Sequence, residues 1–174
     1  MNIKHNLDAL EVPPLFYDWS VDQMKSSKAK ETTTKMASGI DKAIKNGGII
    51  IITVDDALLA SRLGVTLLKA ALLKDYIKVC YLTPERIKGL KIDSFTGGDL
   101  YKEYVQSDLC VIDGVTPNVG SSRFQTYLEF LEERMLYKKC TVIVSTENTS
   151  QIFDEKALSY LNSVMKFEIT QEML

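Results

Sequence analysis

The stretch IIIITVDDALLASRLGVTLLKAALLK, residues 49–74, decides how this chain is read. Ile49–Val54 is β-branched and apolar with no polar alternation, as in a strand buried on both faces. From Leu58 to about Tyr76 the apolar spacing becomes that of an amphipathic helix. Between strand and helix lies a connector carrying two carboxylates, Asp55 and Asp56, and no glycine. Strand-to-helix connectors are where α/β proteins place anion-binding turns, so its chemistry governs the functional reading.

Outward from this stretch the pattern repeats. Lys78–Thr83, Asp108–Val115, Thr141–Thr146 and Val164–Ile169 read as further strands. Helical spacing occupies Asp99–Gln106, Ser122–Lys139 and about Asp154–Leu161, and a short helix fits within the Pro- and Gly-punctuated segment PERIKGLKIDSFTGG. Upstream, the second half of Val21–Lys45 is helical and stops at Asn46–Gly48. Residues 1–20 form an arm interrupted by Val12–Pro14, and its cluster of Leu15, Phe16, Tyr17 and Trp19 predicts packing onto the body. Strands alternating with helices predict a single three-layer αβα domain over residues 21–174, with a mainly parallel sheet of about five strands.

Bulk properties exclude several classes. The 174 residues suit one domain, with 45% hydrophobic and 25% charged residues and a net charge of −2, which gives no global attraction to nucleic acid or anionic lipid. No run reaches membrane-spanning length, and the first residues do not read as a secretory signal. Cys80, Cys110 and Cys140 match no zinc spacing and are odd in number, so they read as buried strand thiols of a cytoplasmic, reducing compartment. His5 is the single histidine and lies in the arm, leaving histidine-based acid–base or triad catalysis without a candidate.

Ligands of such sheets sit beyond the carboxyl ends of the strands, which directs attention to Thr53–Asp56, Thr83–Glu85, Asp113–Gly114 and Ser145–Asn148. Here the order of parts resembles the AAA+ domains of DnaC/DnaI-type helicase loaders and the related transposition ATPase IstB. The proline-aromatic arm VPPLFYDWSV precedes GGIIIIT, then YIKVCYLTPERI, YVQSDLCVIDGV, FLEERMLYKKCTVIVST and LNSVMKFEIT. The likeness spans nearly the whole chain but is mostly apolar patterning; SDLCVID and ERMLYKKCTVIVST are its specific parts. It implies a P-loop NTPase-like (AAA+/RecA-like) core, with Asp113 in the place of the magnesium-directing aspartate and STEN in that of the phosphate sensor.

Against that resemblance the connector is anomalous. Ungapped, the phosphate-binding octet falls on Asp55–Arg62, DDALLASR, which includes Ser61 and Arg62. Such a loop needs glycines that aim backbone N–H groups at phosphate, a lysine, and a hydroxyl for magnesium. The octet has no glycine and no lysine, and each of its two carboxylates would repel a polyphosphate by about 1 kcal/mol or more. A shifted alignment places Gly64–Thr66 on the glycine–lysine–threonine position but leaves Val65 where lysine belongs. Gly114 stands where the resemblance implies a second acid, Thr146 or Asn148 where it implies a sensor asparagine, and EKALSYLN lacks the late arginine. A pseudo-ATPase without nucleotide cofactor or metal follows as the expectation.

Its partner would be a protein: a replicative helicase, a helicase loader, or another replication or transposition component. Homo-oligomerisation stays open. Single-stranded nucleic acid is the second class, with Arg86, Lys88 and Lys91 as phosphate contacts and Phe95 and Tyr101 for stacking. A magnesium-dependent hydrolase built on Asp55, Asp56 and Asp113 is the third. Phe16, Tyr17 and Trp19 either cover the core or anchor a partner. Asp113 itself reads either as a relic of cation chemistry or as an internal hydrogen-bonder, and Arg134 as one of several cations able to pair along its helix with Glu129, Glu132 or Glu133.

Overall fold

Why Ile49–Val54 carries no polar alternation is evident from the layers that enclose it. In the computed structural model, which describes residues 3–74, 78–116, 122–153, 155 and 166–170, Ile49–Thr53 forms β1, inside a five-stranded parallel sheet. The others are β2 (Val79–Leu82), β3 (Leu109–Ile112), β4 (Cys140–Ser145) and β5 (Lys166–Thr170), in the order β2-β3-β4-β1-β5. Ile50 lies level with Val142 on one side and Phe167 on the other. Ile49 and Ile51 enter the core on one face, and Ile50 and Ile52 the core on the other.

On the first face lie α5 (Pro84–Phe95), α6 (Leu100–Gln106), α7 (Ser122–Leu136) and the short α8 (Thr149–Ile152), contributing Ile87, Leu90, Tyr101, Phe130 and Ile152. On the second lie α1 (Ile3–Ala9), α2 (Ser27–Ser38), α3 (Ile40–Asn46) and α4 (Ala57–Leu72), contributing Leu7, Ile40, Leu63 and Leu67. Each such fully buried aliphatic side chain contributes about 1.5–3 kcal/mol, so the two cores dominate the favourable side of the balance. The three cysteines are buried and unpaired on β2, β3 and β4. Among the described residues no helix is long and apolar enough to cross a membrane.

Several elements differ from the sequence expectation. The arm contains α1 and a 3-10 turn at Pro14–Phe16, and its Leu7, Val12 and Phe16 belong to the core rather than lying over it. α5 runs for 12 residues where a short helix was expected; Thr83 accepts from the Arg86 amide and Pro84 occupies the first turn, a strong start signal. α4 ends at Leu72, and residues 75–77, together with most of the helix expected at 154–161, lie outside the described residues. Asn46–Gly48 does stop α3: Gly47 adopts φ +63, and a Cβ there would meet the Lys138 carbonyl oxygen at 2.4 Å.

Arg134 is not a surface partner of its neighbouring glutamates. It is fully buried at the amino-terminal edge of the sheet, where its guanidinium donates to the Tyr104, Val105 and Ser107 carbonyls, to the Ser107 and Thr141 hydroxyls and to the Cys140 carbonyl. It thereby caps the last turn of α6 and ties β3 to β4, a geometry that needs a planar fork of donors.

Candidate functional site

All described strands run the same way, so Val54–Asp56, Thr83, Asp113–Gly114 and Thr146–Asn148 emerge at one edge of the sheet. The chain leaves β1, crosses through α4 and enters β2 at the far side, so α4 begins at the point where strand order reverses.

At that point the helix start is already capped. Asp56 is the N-cap of α4, and its Oδ1 accepts from the Leu58 amide at 2.9 Å and the Leu59 amide at 3.1 Å. A helix N-terminus attracts an anion through its free N–H groups and the positive end of its dipole. Here a side-chain carboxylate of the same chain is that anion. Asp55 is exposed beside it.

Asp113 follows β3 and is only 8% exposed. Ser61, one turn into α4, donates to its Oδ1 at 3.0 Å, and the Tyr81 hydroxyl of β2 donates to its Oδ2. Burial first, and then the adjacent Asp113 charge, pushes the Tyr81 phenol above its ordinary value of 10.0. The phenol therefore stays a donor throughout the neutral range. Asp113 joins α4, β2 and β3 through these two bonds. The trio Asp55, Asp56 and Asp113 does not form a magnesium cluster: one is exposed, one caps a helix and one is satisfied by hydroxyls. Among the described residues no group of three potential ligands gathers.

Gly114 has φ +78, a conformation in which an acidic side chain would be strained by about 1–2 kcal/mol. Thr146 is half-buried in the turn after β4, where the Ser145 hydroxyl accepts from the Glu147 amide at 2.9 Å. Asn148 is exposed and stands before α8, its carbonyl accepting from the Gln151 and Ile152 amides.

The shifted alignment fails. Gly64 and Thr66 lie inside α4, not at its start, and both are buried. A Cβ on Gly64 would come within 2.7 Å of Val144 and 3.2 Å of Val111, so this glycine serves the approach of α4 to β3 and β4. Thr66 donates back to the Arg62 carbonyl at 2.8 Å.

The arm residues are also engaged internally. Phe16 is 4% exposed, which removes it as a partner anchor. Tyr17 donates to Asp8 at 3.0 Å, and the Trp19 ring lies under the Arg62 guanidinium at 4.3 Å. Lys69, on α4, was missed in the sequence: its ammonium donates to the Phe16, Tyr17 and Trp19 carbonyls at 2.7, 3.1 and 2.7 Å. Burial pulls its pKa below the usual lysine value, with Asp18 partly restoring it. Beside this latch a cleft of about 390 Å³ opens between Trp19, Lys25, Asp56 and Arg62.

The basic trio proposed for nucleic acid lies on α5, but two of its members are neutralised within the chain. Arg86 pairs with Glu11 and packs on the Tyr104 ring, and Lys91 pairs with Glu133 at 3.1 Å and lies 4.5 Å from the Tyr101 ring centre. Lys88 is half-buried. Tyr101 is 3% exposed and cannot stack on a base, whereas Phe95 is 80% exposed.

This sheet order, with α4 at the reversal point, gives the chain a three-layer α/β fold like that of P-loop NTPases. It is similar to the DnaC helicase loader at a TM-score of 0.72 and 14% identity, over 90% of this chain and 99% of that one. It is also similar to DnaI, at a TM-score of 0.66 and 11% identity over 91% of each chain. A third similar structure is the replication initiator DnaA bound to AMPPCP and single-stranded DNA, at a TM-score of 0.58 and 13% identity. That match covers 87% of this chain, which spans about half (49%) of the DnaA chain. At these identities the likeness lies in the fold. No family model and no curated protein sequence matches the chain.

Proposed function

We propose that this chain is a non-catalytic, AAA+-like relative of the helicase loaders. It acts as a protein-binding adaptor or inhibitor in DNA replication or in a mobile element, in the cytoplasm. The observation that carries the reading is the capped start of α4: two amides of its first turn, those of Leu58 and Leu59, donate to Asp56. A nucleotide would have to displace a covalently tethered carboxylate and then bind without the lysine that the octet lacks. The engagement of Asp113 by Ser61 and Tyr81 supports the same reading, because it leaves neither carboxylate oxygen without a hydroxyl donor. The partner is a protein of the replication or transposition apparatus, recognised through the retained AAA+ surface rather than through nucleotide-driven cycling.

The test is thermal denaturation with and without magnesium and ATP, ADP or AMPPCP. A ligand stabilises a native state that it binds, by about 2.7 kcal/mol at a hundredfold excess over Kd. The expected result is an unchanged melting temperature and no ATP hydrolysis. A rise of several degrees with any of these nucleotides would overturn the reading. Pull-down with the replicative helicase and its loader then examines the partner class, and failure to retain either would remove the adaptor role.

A further inference from the structure

Two thiols meet near the amino-terminal edge of the sheet, the edge opposite the α4 start. Cys80 on β2 and Cys110 on β3 are cross-strand partners, and both enter the core covered by α5, α6 and α7. Their sulfurs are hydrogen-bonded, Cys110 donating to Cys80. Neighbouring strands lie about 4.7–4.9 Å apart, within the Cα separation of about 4.4–6.8 Å that a disulfide spans. Cys140 is level with Leu109 and enters the other core, so it stands outside the pair.

The surroundings of Cys80 favour negative charge. Its sulfur lies 3.1 Å from the Ser107 hydroxyl, which donates to the Tyr104 carbonyl at 2.8 Å and accepts from the Arg134 guanidinium at 2.9 Å. Among the described residues the acceptors of Arg134 are neutral carbonyls and hydroxyls. Asp108, a carboxylate that feels its charge, is held by Lys139 at 2.9 Å. A buried cation with no bonded anion favours an anion nearby. Burial pushes the Cys80 thiol up, but the Cys110 S–H, the Arg134 charge and the Ser107 hydroxyl together bring it below its ordinary 9.0. Burial first, and then its bond to Cys80, pushes Cys110 well above that value. Cys80 is 1% exposed, yet Ser107, which touches its sulfur, belongs to the wall of a cleft of about 610 Å³ between Lys78, Tyr104, Asp108 and Lys139. A water occupies about 30 Å³ in the liquid, so a peroxide enters this cleft readily.

We propose that Cys80 and Cys110 form a modification site, at which a peroxide oxidises Cys80 and Cys110 resolves the product into a disulfide. The Cys80 sulfur attacks one peroxide oxygen, the O–O bond breaks, and the departing hydroxide leaves as water with the thiol proton. The sulfur has then given two electrons to the peroxide and carries an S–OH group. The Cys110 sulfur attacks it, the S–S bond forms as the S–O bond breaks, and the second hydroxide leaves as water with the Cys110 proton. Two thiols and one peroxide give one disulfide and two waters. The link joins β2 to β3 and is reversed by a thiol reductant, as suits a transient disulfide in a reducing compartment.

The test treats the folded full chain with hydrogen peroxide, blocks remaining thiols under denaturing conditions, and maps the cysteines by mass spectrometry. The expected result is a Cys80–Cys110 disulfide with Cys140 still reduced, and its loss on adding dithiothreitol. Cys110→Ser leaves Cys80 as a sulfenic acid that dimedone traps, whereas Cys80→Ser leaves Cys110 a thiol; circular dichroism and melting check that both fold as wild type does. Where either variant fails to fold, the wild-type map decides alone. Three reduced thiols after peroxide, or a disulfide that includes Cys140, overturns the proposal. So does oxidation that begins only once urea has unfolded the chain, since the folded site then plays no part.

Discussion

Replacing Tyr81 by Phe tests whether Asp113 is a structural tie or a group kept ready for a cation. In the wild type, Asp113 is 8% exposed and receives one hydroxyl on each oxygen, from Ser61 at 3.0 Å and from Tyr81. The substitution removes the phenolic donor and little volume, so a buried carboxylate oxygen is left without its partner. Hydrogen bonds to charged groups contribute about 1.5–3 kcal/mol. A domain of this size loses about 2–4 °C per kcal/mol, so the melting temperature should fall by about 3–12 °C. Ser61→Ala should cost less, about 1–2 kcal/mol, because Ser61 is half-buried and water can replace its hydroxyl. Both donors share one acceptor, so the double variant should deviate from additivity by at least about 0.5 kcal/mol. Urea unfolding followed by circular dichroism measures all three. A Tyr81→Phe change below about 0.5 kcal/mol, the scale of an ordinary surface substitution, would refute the tie. So would a wild-type melting temperature that climbs with magnesium alone, since that requires a cation at the native site.

Lys69→Met should strip the donor from the Phe16, Tyr17 and Trp19 carbonyls, cost about 1–3 kcal/mol, and loosen the arm. Trp19 is the only tryptophan, so its fluorescence should shift to longer wavelength, and an unshifted spectrum would contradict the latch. Gly64→Ala should destabilise by about 1–3 kcal/mol through collision with Val144 and Val111, despite the better helix propensity of alanine. Gly89→Ala, inside α5 with open space where its Cβ would lie, should instead stabilise by about 0.5–1 kcal/mol, and chemical denaturation of the pair reads the contrast. Burial pushes the Cys140 thiol from 9.0 to about 12, with the Arg134 charge acting the other way. A folded pKa above the unfolded one leaves this stability complete below pH 9.0 and removes it as pH rises towards about 12. The urea midpoint should therefore hold steady near neutrality and fall above pH 9.0, less steeply in Cys140→Ala.

The fold was legible because burial writes itself into apolar pattern. Ile49–Thr53 is enclosed by sheet neighbours and by two helical layers, so every residue is apolar or a buried threonine. The parallel order followed from strands alternating with helices, and Asn46–Gly48 marked a stop that the left-handed Gly47 enforces. At the site, the lack of glycine and lysine in DDALLASR was readable, but the use made of its aspartates was not. Asp56 as an N-cap is a local signal that the D-x-x pattern before an apolar helix contains. The Asp113 partners are 52 and 32 residues away in sequence, and no short-range rule joins them. Arg134 misled for a similar reason: its i−1 and i−2 neighbours are glutamates, which suggests a solvated helix face. Most of its acceptors are backbone carbonyls of α6, β4 and the turn after α6, which no side-chain pattern reports. The cationic trio on α5 looked available because Glu11 and Glu133 are far away in sequence.

A sheet edge gathers polar groups from several loops, and each must be satisfied by a ligand, by water or by the chain itself. Here the chain supplies the partners: Asp56 to the α4 amides, Ser61 and Tyr81 to Asp113, and Ser145 to the turn after β4. Each internal partner would have to be displaced for this edge to hold a phosphate. Opening the α4 start removes a cap of about 0.5–2 kcal/mol. Adding glycines costs about 0.5–1 kcal/mol each through backbone entropy. An acid at Gly114 would have to adopt φ +78. The three-layer architecture depends instead on the alternating faces of β1, β3 and β4 and on the close approach of α4 at Gly64, none of which involves the connector. A chain that keeps those features can share the fold of the DnaC helicase loader at 14% identity, whatever its connector carries.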